Sequence, residues 1–131
     1  MNEHSLRLPP DPTSSRTARR FVGDTLSSAA ADPDIADIAV LLTSELATNA
    51  ILHARSDLTI TVRLHSQVIR VQVADENPRL PSASFVSVDA LSGRGLNLVQ
   101  AAASNWGIEN HEAGKSVWFE LDSSPDGPAT R

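Results

Sequence analysis

Hydrophobic and polar residues alternate along two stretches in the middle of the chain. The apolar positions are Leu58, Ile60, Val62 and Leu64 in the first stretch and Ile69, Val71 and Val73 in the second. A period of two is typical of β-strands that have one covered face and one wetter face. The polar residues 65–67 between the two stretches suit the turn of a β-hairpin. Two further strands are predicted at 106–109 and 116–121, and the alternating Leu6 and Leu8 predict a short edge strand.

Apolar residues at helical spacing flank these strands. Thr13 or Ser14 can cap a first helix that runs to about residue 31. Asp32 followed by Pro33 is a start signal for a second helix, which runs to about His53. A short third helix is predicted at 96–103.

This order of elements predicts an α+β fold, a two-layer α/β sandwich. We expect a mixed, mostly antiparallel sheet of four or five strands with three helices on one face. The predicted domain covers residues 13–121, after an extended N-terminal segment at 1–12 and before a disordered tail at 122–131. Residues 75–93 show no clear periodicity and predict a long loop, which inside a compact domain is usually functional or mobile.

Composition and charge narrow the function classes. The chain has 131 residues, about one domain, and its 40% hydrophobic content is enough for one core. A net charge of −5 argues against a nucleic-acid-backbone binder. The absence of cysteine excludes disulfides and thiolate metal sites. No apolar run approaches the roughly 18 residues of a membrane span, and the N-terminus carries no apolar segment like that of a signal peptide, so we expect a cytoplasmic protein without membrane contact.

The second predicted helix carries a row of polar residues. Glu45, Asn49 and His53 are spaced four apart, which places them on one stripe beside the apolar face, roughly 6 Å apart along the helix axis. Asn is a poor helix-interior residue, so its position favours a functional role. An amide oxygen suits Mg²⁺ that is also held by phosphates, and Glu45 could act as a base.

Two other segments carry candidate chemistry. Asp75 ends a predicted strand, and its carboxylate could accept hydrogen bonds from an amino group such as that of adenine. Gly93, Arg94 and Gly95 precede the third predicted helix, where free backbone N–H groups could bind phosphate. Arg94 could add a charge-assisted contact to phosphate oxygens.

These segments, in this order, resemble the GHKL ATPase superfamily of histidine kinases, gyrase-type ATPases and their relatives. The closer resemblance is to the small anti-sigma-factor serine kinases and their actinobacterial relatives, and it runs from Leu8 to Leu121. The motifs that carry it are Glu45-Leu46-Ala47-Thr48-Asn49-Ala50 with His53-Ala54, then Asp75, then Gly93-Arg94-Gly95-Leu96-Asn97-Leu98-Val99, and last Gly114-Lys115-Ser116-Val117-Trp118-Phe119.

The resemblance implies an ATP-binding regulatory protein with the Bergerat-type fold and with ATP and Mg²⁺ as cofactors. It implies Asn49 as the Mg²⁺ ligand, Glu45 as the catalytic base, and a nucleotide site that also includes His53, Asp75, Gly93, Arg94, Gly95, Leu96 and Ser116. The implied activity is serine/threonine protein kinase activity toward an anti-anti-sigma-type protein. A sigma factor would be a second partner, and a homodimer is the implied assembly.

Several alternatives stay open on the residues themselves. Glu45 can be a base or a surface carboxylate that tunes the site, and His53 a nucleotide contact or a packing residue at the helix end. Arg94 can contact phosphate or be a solvated loop charge, and Lys115 and Ser116 can be site or hairpin residues. The run Asp75-Glu76-Asn77-Pro78 lacks the glycines that usually follow this aspartate in the family. That departure favours the alternative function, a kinase-inactive anti-sigma-type binding module with a degenerate or structural nucleotide site.

Overall fold

The structure is a computed structural model, and it describes residues 2–77, 99, 101–112 and 114–122. Within these residues the elements are β1 (Asn2–Leu8), α1 (Thr13–Ser28), α2 (Pro33–Asn49), a π-helical turn (Ala50–Ala54), β2 (Leu58–His65), β3 (Val68–Asp75), β4 (Asn105–His111) and β5 (Gly114–Asp122). The predicted strands are therefore present, each with slightly wider bounds. Val99 and residues 101–102 are helical at the position of the predicted third helix.

The five strands form one sheet in the order β1-β2-β3-β5-β4, and all four pairings are antiparallel. The β2–β3 hairpin pairs Leu58 with Asp75 and Val62 with Val71, so the apolar positions of both strands share one face. Residues Ser66 and Gln67 form its turn, and Ser66 has a positive φ of 56°. The predicted two-layer α+β architecture is confirmed.

Both long helices cover the apolar face of this sheet. Helix α1 packs on β1 and β2, and α2 packs on β3 and β5. The core between the layers contains fully buried side chains from both helices and from the sheet. The largest of them are Phe119, Leu26, Leu42, Leu58, Ile60 and Ile69.

The start of α1 differs from the sequence expectation. Neither Thr13 nor Ser14 caps the helix with its own side chain. The Asp11 carboxylate instead accepts hydrogen bonds from the backbone N–H and the hydroxyl of Thr13, both at 3.0 Å. The Ser14 hydroxyl is buried and donates to the carbonyl of Pro9. Asp32 does cap α2 as predicted, because its carboxylate accepts from the backbone N–H of Asp34 at 2.9 Å.

The helical stretch Pro33–Ala54 has the length and apolar composition of a membrane span. This stretch is the central helix of the fold, and it buries Ala39, Leu42 and Leu46 in the interior of the domain. Its exposed side carries Asp34, Asp37 and Thr48. The length and hydropathy of this stretch therefore follow from its place in the fold.

Candidate functional site

Helix α2 presents two of the predicted site residues at the border of the core. Glu45 and Asn49 are half-buried, while the neighbouring Leu46 and Ala47 are buried. Both polar residues therefore belong to the border of the apolar face, where a side chain can reach a site between the two layers. This is the placement that their spacing predicts.

The helix changes its hydrogen-bonding period directly after Asn49. Residues Ala50–Ala54 form a single π-helical turn, closed by the N–H of Arg55 on the carbonyl of Ala50 at 3.3 Å. Arg55 then takes a left-handed conformation with φ of 55° and ends the helix. His53 lies within this turn, four residues after Asn49. His53 is exposed. Such turns occur frequently at functional sites.

Asp75 is the buried acid of the site. It lies at the end of β3, is 6% exposed, and shares the core face of the sheet with its partner Leu58. Its Oδ1 accepts hydrogen bonds from the backbone N–H groups of Asn77 at 3.1 Å and of Lys115 at 3.2 Å. Among the described residues, the polar neighbour of Oδ2 is the Nζ of Lys115, at 3.9 Å. A carboxylate oxygen at more than hydrogen-bond distance from its ion partner retains acceptor capacity.

The chain after Asp75 is fastened to the end of the helix. The Asn77 amide donates to the carbonyl of Ala54 at 3.0 Å, and the backbone N–H of Glu76 donates to the Ser56 hydroxyl at 2.8 Å. These two bonds hold the end of β3 beside the π-helical turn. The end of β3, which carries Asp75, therefore lies beside the π-helical turn that follows α2.

Lys115, for which the sequence left both a site role and a hairpin role open, lies beside Asp75. Its side chain is 10% exposed, against 2% for that of Asp75. Burial lowers the pKa of Lys115 below its usual value of 10.5, and the charge of Asp75 opposes that shift. The Lys115 side chain lies on the core face of β5, and strand alternation places Ser116 on the other face.

Ser116 is therefore not brought to Asp75. It pairs with Ala74 and Glu109 on the face of the sheet away from the helices, where it is buried, and its hydroxyl lies 2.9 Å from the Nε2 of His111. We leave Ser116 out of the site that we propose below. The predicted residues Gly93, Arg94, Gly95 and Leu96, and most of the predicted loop 75–93, lie outside the described residues.

The donor set of the site is compatible with nucleotide and with a phosphate-held cation. Within the part of the chain that the structure describes, no group of three or more His, Cys, Asp or Glu side chains could hold a metal ion alone. Mg²⁺ at nucleotide sites needs no such cluster, because phosphates and water fill most of its coordination sphere. The amide oxygen of Asn49 is of the hard oxygen type that Mg²⁺ takes as a ligand. The remaining acceptor capacity of Asp75 suits the amino group of a base.

The family comparison agrees with this geometry. The model of the histidine kinase-like ATPase domain matches residues 8–121, and the chain belongs to this family. The family expectation from the sequence motifs is thereby confirmed. No curated protein matches the sequence significantly.

Two solved structures share the fold. The RsbU and RsbW domains of Rv1364c from Mycobacterium tuberculosis superpose with a TM-score of 0.72 at 18% identity, over 92% of this chain and 32% of that one. The histidine kinase domain of the blue-light activated histidine kinase EL346 from Erythrobacter litoralis superposes with a TM-score of 0.54 at 25% identity, over 67% of this chain and 44% of that one. The chain therefore spans less than half the length of each of these two proteins.

Proposed function

We propose that the chain is a cytoplasmic, ATP-binding regulatory domain that transfers phosphate from ATP to a serine or threonine of a partner protein. The observation that carries the proposal is the burial and the hydrogen bonding of the Asp75 carboxylate. It is buried beside the end of α2, with Oδ1 occupied by two backbone N–H groups and with acceptor capacity left on Oδ2. A buried acceptor of this kind matches the amino group of adenine.

Each residue has a role in the proposed site. Asp75 accepts from the base, and Asn49 holds Mg²⁺ together with the phosphates. By the resemblance stated above, Gly93, Arg94, Gly95 and Leu96 would cradle the phosphates. Bound Mg²⁺ neutralises charge on the phosphate oxygens. His53 is exposed and can contact the nucleotide from the rim.

Glu45 is the proposed base for the transfer step. Its carboxylate accepts the proton of the partner hydroxyl while the hydroxyl oxygen bonds to the γ-phosphorus. The bond from that phosphorus to the bridging oxygen breaks, and ADP leaves with the electron pair. Chemistry of this type depends mostly on positioning, which a half-buried carboxylate on a packed helix provides.

The proposed partner is an anti-anti-sigma-type antagonist, with a sigma factor as a second partner and a homodimer as the assembly. This assignment rests on the resemblance to anti-sigma-factor serine kinases. It makes the chain a regulator of transcription that has no direct contact with nucleic acid, in keeping with its net charge of −5.

A second function is favoured by one specific observation. Asp75 is followed by Glu76, Asn77 and Pro78, where family members usually carry glycines. A kinase-inactive binding module would keep the fold and the partner surface and would use nucleotide as a structural ligand or not at all.

Calorimetric titration with ATP, with and without Mg²⁺, tests the binding part of the proposal. We expect Mg²⁺-dependent binding that Asn49→Ala weakens by about tenfold or more. Incubation with labelled ATP and candidate antagonists then tests transfer. Binding without transfer to any partner would support the binding module, and the absence of nucleotide binding would remove the kinase function.

A further inference from the structure

The buried ammonium group of Lys115 lies beside the Asp75 carboxylate, and the proposed function gives Lys115 no role. Lys115 Nζ is 3.9 Å from Asp75 Oδ2, and both side chains are almost fully buried. The two residues belong to neighbouring strands at the same end of the sheet, and the Lys115 backbone N–H also donates to Asp75 Oδ1. Main chain and side chain of Lys115 thus both contact this carboxylate.

Burial favours the neutral form of a carboxyl group, and the two backbone N–H groups that donate to Oδ1 of Asp75 favour the ionised form. A protonated oxygen carries a donor, which would meet the donating amino group of an adenine ring. Because two backbone N–H groups already occupy Oδ1, a proton would sit on Oδ2, and the ionised form of Asp75 is the better acceptor for the amino group of adenine. An opposite charge within about 4–6 Å favours the ionised form.

Other charged groups near Asp75 do not supply this charge. The segment after β3 contributes Glu76, and the link before β2 contributes Asp57. Both carboxylates pair with Arg7 of β1, at 3.0 and 2.9 Å, in an exposed network. His53 and Arg55, at the end of the helix, are exposed. Among the described residues, Lys115 is the cation that forms an ion pair with Asp75.

We infer that Lys115 is a positioning residue that keeps Asp75 ionised, and that it thereby sets the preference of the site for bases carrying an amino donor. This inference rests on the proposed nucleotide site. The separation of 3.9 Å matters, because it is long for a hydrogen bond and leaves Oδ2 free to accept from the base. Burial lowers the pKa of Lys115, and the charge of Asp75 opposes that shift.

The first test needs no nucleotide. The side-chain carboxyl ¹³C resonance of Asp75 is followed through an acid titration in the parent chain, Lys115→Met and Lys115→Arg. We expect Lys115→Met to protonate Asp75 at a pH about one unit or more above that of the parent, and Lys115→Arg to stay close to the parent. Arg63→Met is the matched control, because it removes one positive charge from an exposed ion pair with Glu3 on the other face. If Lys115→Met does not fold, Lys115→Gln takes its place.

The second test measures ATP affinity against pH in the same variants. As the pH is lowered, we expect the ATP affinity of Lys115→Met to begin to fall at a pH about one unit or more above that at which the parent's affinity falls, and Lys115→Arg to follow the parent. Equal Asp75 titration and equal affinity profiles in the parent and Lys115→Met would overturn the inference. A shifted Asp75 titration in a chain that binds no nucleotide would instead contradict the proposed function while supporting the electrostatic role of Lys115.

Discussion

The carbonyl oxygen of Asp75 occupies the space in which a side chain at Gly114 would begin. A Cβ atom at Gly114 would overlap this oxygen and would also lie within 2.8 Å of the carbonyl carbon of the same residue. The start of β5 can therefore approach the end of β3 only with glycine. This approach brings the backbone N–H and the ammonium group of Lys115 to the Asp75 carboxylate.

Gly114→Ala should therefore destabilise the fold and loosen the site. We expect a loss of about 2–3 kcal/mol in the free energy of unfolding, measured by urea denaturation, because the clash is with backbone that cannot move aside cheaply. Gly23→Ala is the matched control. A Cβ at Gly23 would meet Val40 at an ordinary 3.6 Å, and alanine is the better helix former, so this variant should be equally or more stable by up to about 1 kcal/mol. Equal effects of the two substitutions would contradict the packing described here.

Asp75 and Glu76 offer a second matched pair. Asp75→Ala removes the acceptor of two backbone N–H groups and the partner of a buried ammonium, so we expect it to cost about 3–5 kcal/mol. Glu76→Ala removes an exposed ion pair with Arg7 and should cost less than about 1 kcal/mol. Chemical denaturation of both variants measures the difference. A similar, small loss of unfolding free energy in both variants would mean that the Asp75 contacts contribute little to stability.

The cap of α1 predicts a dependence of stability on pH. Hydrogen bonds from the backbone N–H and then the hydroxyl of Thr13 lower the pKa of Asp11 below its usual 3.8. Because the folded chain has the lower pKa, this contribution is fully present above about pH 3.8 and is lost as the pH falls through the folded value. Asp11→Ala should therefore melt below the parent at neutral pH, and the gap should close in acid. A difference in melting temperature between Asp11→Ala and the parent that does not shrink in acid would argue against this cap.

Glu45→Gln separates binding from chemistry. A base acts on the proton of the partner hydroxyl and not on bound nucleotide, so ATP affinity should stay within about twofold while transfer to the partner falls about a hundredfold or more. Calorimetry and labelled transfer measure the two quantities on the same preparation. Equal loss of affinity and transfer would show that Glu45 only supports the structure of the site.

The sequence predicted the strands well because their apolar residues alternate strictly over the covered face. It placed the cap of α1 on Thr13 or Ser14, although Asp11 is also a good capping type, because side-chain rotamers rather than residue types decide which oxygen reaches the helix. The π-helical turn at Ala50–Ala54 has no sequence signal. The last residue of this turn, Ala54, accepts a hydrogen bond from the Asn77 side-chain amide, which is a tertiary contact and so is not visible in the local sequence.

The choice between Lys115 and Ser116 was open for a similar reason. Neighbouring residues of a strand point to opposite faces, so a shift of the register by one residue exchanges their places. The register is fixed by the pairing of Ala74 with Ser116 and by the close approach at Gly114, and neither can be read from the chain alone. Both residues are polar, so residue type did not distinguish them as candidates for the site. Only the register of the folded strand places Lys115 on the same face of the sheet as Asp75.

The central claim is that the Asp75 carboxylate accepts a hydrogen bond from the amino group of adenine. Calorimetric titration of the parent chain with Mg²⁺-ATP and with Mg²⁺-inosine triphosphate, in which a carbonyl oxygen replaces that amino group, tests this claim most directly. We predict that ATP binds about ten- to a hundredfold more tightly, as expected for one hydrogen bond to a buried charge, and that Asp75→Asn abolishes most of this preference. Equal affinity of the parent chain for the two nucleotides would contradict the account.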